Sequence, residues 1–479
     1  MDTVAREKLV AKKEVKAAIE TLKRVAREAL PKGTFGTREE ATLAIFEEAA
    51  RGVLHDELVA IEASFGDRML VDGVEYKKHE PGTGNYASLS GALDVPRHTY
   101  RQVGVRNGPT VVLLELVARL VEGATPAMAC NVAHGYAEHD MRRHGESLKL
   151  AHRIPPPRAT LERLAKRIAE SVDQAAPRIE AVIRRAEKLP EGARAVVMGL
   201  DRGSVLMTEP RPEGAPTEPR RPRHTPRVRV APDPIDVNFR MAYVGTVSIV
   251  DEHGEALVTR RYAIPASDDP EKLVDRMAAD VEAAVKQDSN LVVGAVQDGA
   301  HEMWNLTRQG LDKLQTKGVI ANWEEGIDHY HLLEHLGEAL DIIEPDSDER
   351  TRRLAQWTTM LDTRDSAIDS IEQQLASACL DLPEPQQNTL MEHLVYLENN
   401  KDRMRYITLA GAGLPIGSGV TEGAVKSVLG GRAKTGGQHW GEPGLRGALT
   451  LRALHRSDRL QRFWRPFSRR YTAKVQQAA

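Results

Sequence analysis

The spacing of hydrophobic and polar positions changes several times along the chain, and the first 71 residues follow a helical period. Apolar residues recur every three or four positions between residues 4 and 30, which predicts an amphipathic helix. These residues include Val15, Ile19, Leu22 and Val25. The pattern Thr37-Arg38-Glu39-Glu40 is typical of a capping box and predicts a second helix that ends at about Ala63. We therefore expect residues 1–71 to form a helical region that contributes to dimerisation.

Residues 72–190 mix strand and helix patterns. Alternation around residues 96–101 predicts a short hairpin, and helices are predicted over about 109–123 and 126–144. A proline-rich break then precedes a short basic helix over about 160–170. This order is compatible with a helix-turn-helix that binds the major groove of DNA. An ordinary helical hairpin with a solvated basic face explains the same pattern.

The next region, predicted as residues 191–331, has the pattern of a sheet. An apolar run ends at Asp201, and strands are predicted over 239–250 and 256–264. A helix over about 270–287 then leads to a second apolar run, which ends at Asp298. The predicted order is three strands, a helix and a strand, with an acid at the end of the first and the last strand.

The remaining chain is predicted to be helical over 332–410, followed by a last segment over 411–479. A glycine-rich loop precedes a helix over about 420–429, which carries Glu422 in its first turn. The last segment is strongly basic, so we expect a polyanion to bind there. Its basic residues are Arg432, Lys434, Arg446, Arg452, Arg456, Arg459, Arg462, Arg465, Arg469, Arg470 and Lys474.

Composition excludes several classes of protein. The chain has 479 residues, of which 28% are charged, and a mean hydropathy of −0.42, so neither a disordered chain nor a membrane protein is expected. No secretory signal is recognisable at the N-terminus, and we expect a cytoplasmic protein. The two cysteines, Cys130 and Cys379, provide neither a disulfide framework nor a cysteine-based zinc site. The net charge of −3 means that any affinity for nucleic acid must come from local basic patches.

Three acids from separate elements are the strongest candidates for catalysis. Asp201, Asp298 and Glu422 are predicted to converge on two divalent cations, since hard cations such as Mg²⁺ prefer carboxylate oxygens. Each acid also has an ordinary explanation: a strand-end turn, an Asp-Gly turn, and a helical ion pair with Lys426. Their joint order in the predicted strand and helix pattern favours the metal site.

A second cluster contains the spacing His331-x-x-Glu334-His335 on a predicted helix. This spacing is the inverted zinc-protease motif, so a metallopeptidase is an alternative enzyme class. Pairs of histidines on one helix face are common without zinc, and no third ligand is evident in the sequence. A structural role for His335 is the simpler explanation.

Three blocks of sequence surround the three acids. The first runs from Leu200 to Val205 and on through Met207, Glu209, Pro210 and Arg211, and the second is Gln297-Asp298-Gly299-Ala300 with Trp304. The third begins with Ile416-Gly417-Ser418-Gly419-Val420-Thr421-Glu422. It continues with Lys426, Arg432, Lys434, Gly437, Trp440, Gly447 and Leu451-Arg452-Ala453. These blocks resemble the bacterial DDE transposases of the ISKra-type insertion-sequence family, which are relatives of the Mutator-like transposases.

The resemblance covers roughly residues 195–464 and implies a fold. The expected fold class is α+β to mostly α, with an RNase H-like catalytic domain, a mixed sheet with helices, that an all-helical insertion interrupts. A helical N-terminal DNA-binding region is expected to precede it. Related transposases carry a D-x-x-H motif between the second aspartate and the glutamate, and Asp328-x-x-His331 matches it.

The resemblance also implies a function, namely Mg²⁺-dependent cleavage and strand transfer of double-stranded DNA at the ends of a mobile element. Asp201, Asp298 and Glu422 would hold two Mg²⁺ ions, with Mn²⁺ as a substitute. The supporting residues would be Asp328, His331, Trp304 and Trp440, with Asp328 and His331 either bracing the site or touching the flanking strand. The expected DNA-binding residues are Arg220, Arg221, Arg223, Lys426, Arg432, Lys434 and Arg452.

The expected partners are the terminal repeats of the element and the target DNA. Because two ends must be brought together, we expect a homodimer or a higher assembly on DNA, associated with the nucleoid and with no membrane. A domesticated relative that binds DNA without transposing it is an alternative from another functional class.

Overall fold

A computed structural model describes residues 3–210, 235–435 and 437–478. The described residues form two compact units. The terminal unit comprises residues 1–135, 139–168 and 468–479, and the central unit comprises residues 136–138 and 169–467.

Helices occur in both units. Over the described ranges they are α1 (Thr3–Val10), α2 (Lys13–Ala29), α3 (Phe35–Ala63), α4 (Leu113–Val117), α5 (Pro126–Glu138), α6 (Met141–Leu150), α7 (Arg158–Ala186), α8 (Pro270–Val285), α9 (His301–Thr316), α10 (His329–Ile343), α11 (Ser347–Leu361), α12 (Ala367–Cys379), α13 (Glu384–Asn400), α14 (Tyr406–Gly411), α15 (Gly419–Val425), α16 (Glu442–Arg456) and α17 (Leu460–Ser468). A π-helical turn, Lys426–Gly430, continues α15.

The strands belong to two sheets. Over the same ranges they are β1 (Arg68–Val71), β2 (Val74–Ser88), β3 (Gly91–Gln102), β4 (Thr110–Val111), β5 (Ala195–Pro210), β6 (Ile235–Val250), β7 (Ala256–Pro265), β8 (Val292–Gln297), β9 (Glu324–Ile327) and β10 (Val475–Gln477). The protein is therefore a mixed α/β protein with two sheets, which agrees with the expected α+β class.

The terminal unit contains an antiparallel sheet in the order β10-β1-β2-β3-β4. Strands β2 and β3 form a hairpin whose turn places Gly91 at a φ of 114°, in a region that favours glycine. The hairpin is much longer than the one predicted around residues 96–101. Its side chains Tyr86, Leu93 and Tyr100 are buried and pack in one core with Leu58 of α3 and Leu113 of α4.

Two of the helices predicted in the first 123 residues differ in the structure. Helix α3 begins two residues before the predicted capping box, and its N-cap is Thr34, whose hydroxyl accepts from the backbone N–H of Thr37. The helix predicted over 109–123 is wrong, since that segment contains only β4 and the short α4. Arg119 and Glu122 adopt positive φ values of 54° and 53°, which end any right-handed helix.

The segment considered as a helix-turn-helix consists of two short helices and one long helix. The helix predicted over 126–144 is broken at Asp140, whose carboxylate caps α6 by accepting from two backbone N–H groups. The predicted short basic helix is part of α7, which has 29 residues. Its basic side chains are exposed, namely Arg158, Arg163, Lys166 and Arg167. DNA binding by this segment stays a prediction.

The central unit is built on a five-stranded sheet in the order β7-β6-β5-β8-β9. Strands β5, β6 and β7 are antiparallel neighbours, and β8 and β9 run parallel to β5. Helix α8 connects β7 with β8, and its apolar residues, including Met277 and Val281, are fully buried. The succession of strands and the α8 helix along the chain agrees with the sequence prediction, but the first strand, predicted to end at Asp201, continues to Pro210 in its pairing with β6.

Helices α10 to α14 fill the chain between β9 and α15, in agreement with the helical pattern of this region. Their buried side chains, such as Leu336, Trp357, Ile371 and Leu390, belong to the same hydrophobic core as the strands of the central sheet. This helical region is therefore packed onto the sheet. Among the described helices, none has the length and apolar character needed to cross a bilayer.

Candidate active site

Asp201, Asp298 and Glu422 line one cavity of about 220 Å³ in the central unit. The other lining residues are Leu200, Gln297, His331, Ser418 and Thr421. The three acids that the sequence singles out thus meet in one place, although each comes from a different element.

The local course of β5 and β8 creates the cavity. Asp201 pairs with Val244 of β6 on one side, but on the other side the pairing of β5 with β8 ends at Met198. Beyond that point the side-chain oxygen of Gln297 accepts from the backbone N–H of Leu200 at 3.2 Å. Asp201 lies within β5, which continues to Pro210, and the parallel register places Met198 beside Ala295, so Asp201 is level with the position three residues after Ala295. Asp298 follows β8 directly and so comes close to Asp201.

Asp298 is held in a turn between β8 and α9. Its Oδ1 accepts from the backbone N–H of Ala300 at 3.0 Å, and its carbonyl oxygen accepts from Nε1 of Trp304 at 2.7 Å. Trp304 is buried and supports the backbone of the turn, and its part in the proposed chemistry stays a prediction. One oxygen of the Asp298 side chain is used by the turn, and no hydrogen bond to the other is found among the described residues.

Glu422 depends on a close approach of α15 to β5. A methyl group on Gly199 would overlap the hydroxyl of Thr421, and one on Gly203 would lie 2.8 Å from a methyl of Leu429. The hydroxyls of Thr421 and Thr246 are 2.7 Å apart and buried. The glycines therefore allow the helix to pack directly on the strand, with Glu422 directed into the cavity. The ion pair of Glu422 with Lys426 is also present, at 3.3 Å.

Asp328 connects α10 to the glycine-rich loop before α15. Its side chain is 1% exposed and caps α10 by accepting from the N–H groups of Tyr330 and His331 at 2.7 and 3.0 Å. Its other oxygen accepts from the N–H of Ser418. Since Asp328 is buried and fully used by these contacts, the structure favours a bracing role for it over a contact with DNA.

We expect Asp328→Asn to lower both stability and the proposed cleavage activity. The amide oxygen can still cap α10, but the amide nitrogen would face the N–H of Ser418, which costs about 1–3 kcal/mol. The loop would shift, and cleavage should fall by about tenfold. Asp346→Asn is a matched control, because Asp346 caps α11 in the same way and is exposed. Thermal melting and single-turnover cleavage measure the two effects, and equal behaviour of the two variants would contradict the bracing role.

The pKa of Asp201 is raised above its ordinary value. Burial is the largest cause, and the negative charges of Asp298 and Glu422 add to it, against the lowering effect of the backbone N–H of Arg202. The ligand atoms of these acids do not all lie within 4.8 Å of one another, in contrast to another group among the described residues.

We expect Asp201→Asn to stabilise the metal-free protein at neutral pH. A carboxyl whose pKa is raised by folding favours the folded state only while it is protonated, so its charged form costs stability once the pH exceeds that pKa. The variant should melt about 1–3 °C higher than the wild type at pH 8 in EDTA. This difference should shrink as the pH falls towards the ordinary range of aspartate. A lower melting temperature of the variant at pH 8 would contradict the repulsion.

Gln297 is a cavity residue that the sequence reasoning missed. It is 1% exposed, and its Oε1 accepts from Leu200 and from the hydroxyl of Thr307 at 3.1 Å. Its Nε2 has no hydrogen-bond partner among the described residues. A buried amide donor at the wall of the cavity can hydrogen-bond an oxygen of a bound substrate. In the sequence, only its position directly before Asp298 indicates that Gln297 lies near the site.

Of the other predicted supporting residues, one lines the carboxylate cavity and one does not. His331 lines the cavity, and its Nδ1 is 3.3 Å from a carboxylate oxygen of Glu334. Trp440 is not among the cavity residues. It is buried, and its backbone bonds with Leu206 and Thr208 attach the segment before α16 to β5. Trp440 is thus a structural residue.

Two of the predicted DNA-binding arginines are corrected by the structure. Arg432 is 2% exposed, donates to the carbonyl of Tyr136 at 2.8 Å and lies between the rings of Tyr136 and Trp440. Arg452 is also 2% exposed and pairs with Glu138 at 2.6 Å. Both guanidinium groups hold the fold together and are not presented to a ligand. Lys426 and Lys434 are exposed, whereas Arg220, Arg221 and Arg223 lie outside the described residues.

The basic C-terminal segment is used partly inside the protein. Arg459 is buried and bonds to Glu187 and Asp280, and Arg446 pairs with Asp268. The expected polyanion surface is therefore smaller than the sequence suggests, because buried arginines look the same as exposed ones in a local pattern.

The structure does not support the zinc-peptidase alternative. Glu334 pairs with His331, while Nδ1 of His335 faces Nδ1 of His393 on α13 at 3.1 Å. Within the described ranges, the group with three suitable ligand atoms is His335, Glu338 and His393, and it includes neither His331 nor Glu334. The predicted motif is on one helix, but its side chains are divided between two different contacts.

The chemistry of the cavity is that of hard oxygen ligands. Two aspartates and a glutamate without a nearby cysteine are suited to Mg²⁺ or Mn²⁺, and the raised pKa of Asp201 is the electrostatic cost that a cation would relieve. No protein-family model matches the chain, and a comparison with curated proteins gives no match.

Proposed function

We propose that the protein is a DDE transposase that cleaves and joins double-stranded DNA at the ends of an insertion sequence. The observation that carries the proposal is the meeting of Asp201, Asp298 and Glu422 in one cavity at the edge of the central sheet. The order β7-β6-β5-β8-β9, with three antiparallel strands followed by two parallel ones, supports an RNase H-like catalytic domain. Helices α10 to α14 would then be the helical insertion.

The proposed reactions are two in-line phosphoryl transfers. In the first, a water oxygen attacks the phosphorus at the element end, and the bond to the 3′ oxygen breaks. In the second, the freed 3′ hydroxyl attacks a phosphodiester of the target DNA, and one strand of the target is broken as the new bond forms. The three carboxylates would hold two Mg²⁺ ions, which would lower the pKa of the attacking hydroxyl and stabilise charge on the leaving oxygen.

The chain's own residues would position these groups. The Asp298 turn and the short distance between β5 and α15 fix the carboxylates before substrate arrives, which reduces the cost of organising the site. The Nε2 group of Gln297 can donate to a phosphate oxygen, and Asp328 keeps the loop before α15 in place.

A groove of about 900 Å³ beside α15 is the proposed path of the DNA backbone. Gly419, Val420 and Gly423 of α15 form part of its wall. Its cationic side chains include Lys188, Arg456 and Arg462. Contacts of this kind hold phosphates in a salt-sensitive way and carry little sequence information. The half-buried apolar face of α2 is the proposed contact between two copies on paired ends.

The decisive experiment uses the DNA that flanks the coding region. Purified full-length protein is incubated with labelled duplexes carrying these flanks, with Mg²⁺ or with EDTA, and scrambled duplexes are the control. We expect Mg²⁺-dependent nicks at one position per flank, with 3′ hydroxyl ends that join to a target plasmid. Retention of the flanking duplex without cleavage in Mg²⁺ or Mn²⁺ would favour a DNA-binding relative. If the protein neither retains nor cleaves the flanking duplex, the proposal is overturned.

A further inference from the structure

A cluster of side chains of the types that ligate metals lies on α10 and α13, outside the proposed catalytic cavity. His335 and Glu338 are on α10, one turn apart, and His393 is on α13. One ligand atom from each of the three residues lies within 4.8 Å of the others. None of these three residues lines the carboxylate cavity.

The distances are close to those that a tetrahedral ion requires. Nδ1 of His335 and Nδ1 of His393 are 3.1 Å apart. A tetrahedral ion with bonds of about 2.0–2.1 Å separates two imidazole nitrogens by about 3.3–3.4 Å, so these two rings need to move by only a few tenths of an ångström. Glu338 Oε2 lies 3.9 Å from Nε2 of His393, which is the other nitrogen of that ring, and a ligand atom of Glu338 is within 4.8 Å of those of both histidines. The side chain of Glu338 is 69% exposed. Glu338 can therefore change rotamer at little cost and complete a third ligand position.

The type of ligand distinguishes this cluster from the catalytic cavity. Imidazole nitrogens suit Zn²⁺ and other late transition metals, whereas Mg²⁺ prefers oxygen. Two histidines and a glutamate are a known ligand set for Zn²⁺, with water in the fourth position. We propose that His335, Glu338 and His393 bind one Zn²⁺ ion that joins α10 to α13.

A zinc ion that links α10 to α13 would also stabilise the turn that carries Asp298. The ring of Tyr396, also on α13, is stacked on His335 with centroids 3.8 Å apart and an interplanar angle of 17°. The same Tyr396 ring is packed over Gly299, where an added methyl group would overlap it, and Gly299 follows Asp298. The zinc joint would thus fix Tyr396 against the turn that carries Asp298. The role proposed for the ion is to hold α10 and α13 together, and zinc binding does not depend on the proposed transposase activity.

The test measures zinc binding directly. The full-length protein is freed of its purification tag, because histidine tags bind zinc, and is stripped of metal with a chelator. Zn²⁺ is then titrated in competition with a coloured zinc indicator, and bound zinc is counted by elemental analysis after gel filtration. We expect one Zn²⁺ per chain, together with a rise in melting temperature.

Matched variants identify the ligands. Glu338→Gln should weaken zinc binding by at least about tenfold, and His393→Gln by more. Glu334→Gln is the control for Glu338→Gln, because Glu334 is an equally exposed glutamate one turn away on the same helix, and it should bind zinc as the wild type does. Since Glu338 is exposed, its variant keeps the test valid even if His393→Gln does not fold.

Three outcomes would overturn the site. In the first, the wild type retains no zinc. In the second, Glu338→Gln and His393→Gln retain as much zinc as the wild type. In the third, Asp298→Asn loses zinc and His393→Gln does not. In the first case the two histidines share a hydrogen bond and no ion. In the last case the zinc is held by the catalytic acids. Zinc binding without DNA cleavage would leave this site intact and reject the proposed function alone.

Discussion

Asp298→Asn is expected to reduce Mg²⁺-dependent cleavage of the flanking duplex by at least about 10³-fold, which corresponds to about 4 kcal/mol of transition-state stabilisation. The amide oxygen of asparagine can still accept from the N–H of Ala300, so the turn between β8 and α9 should be kept. What is lost is a negative charge at the place where two cations are proposed to bind. Retention of the duplex in a gel-shift assay should be nearly unchanged, because phosphate contacts lie elsewhere.

The control for this variant is Asp381→Asn, which changes an exposed aspartate in the loop after α12. It should cleave as the wild type does. If Asp298→Asn cleaves as fast as Asp381→Asn, then Asp298 has no part in the chemistry. If it loses duplex retention as well as cleavage, its role is in folding or DNA binding, and circular dichroism distinguishes these two.

Gly199→Ala is expected to separate Glu422 from the two aspartates. The new methyl group would overlap the hydroxyl of Thr421, so α15 must move away from β5. Such overpacking costs about 1–3 kcal/mol of folding free energy. A displacement of about 1 Å in a catalytic group is enough to lower the rate about 10²-fold. Cleavage should therefore fall far more than the loss of stability alone explains.

The double variant Gly199→Ala/Thr421→Ala tests this cause. It removes the hydroxyl that the methyl group would meet, and it should recover part of both the stability and the cleavage rate. The interaction energy of the cycle, measured by denaturant unfolding, should therefore be favourable. Independent effects of the two changes would show that Gly199 acts in some other way than by allowing α15 to approach.

The sequence predicts those parts of the site that depend on the local spacing of apolar and polar residues. An apolar run that ends in an acid identifies the buried part of a strand, and so Asp201 and Asp298 are candidates from the sequence, although only β8 ends at its acid and β5 continues to Pro210. Glu422 was found from a loop, a helix start and the family resemblance. The succession of three strands, a helix and a strand along the chain was also predicted, because each of these elements has a clear period.

The parts that the sequence does not predict depend on contacts between distant residues. Arg432 and Arg452 look like any exposed arginine, and only tertiary packing shows that Tyr136, Trp440 and Glu138 bury them. Likewise His335 was assigned to a motif on its own helix, whereas its partner His393 comes from α13, 58 residues later. Partners so far apart cannot be paired by spacing.

The distribution of the acids along the chain has a consequence for synthesis. Asp201 is on β5 and Asp298 directly follows β8, so both precede α10 to α14, whereas Glu422 is on α15 and follows them. Since domains generally begin to fold while translation continues, the growing polypeptide can form the central sheet with two of the acids while α10 to α14 are still being synthesised. On the proposed function, a product that ends before α15 would lack the third acid, and nuclease activity would begin only after α15 has been synthesised and packed on β5.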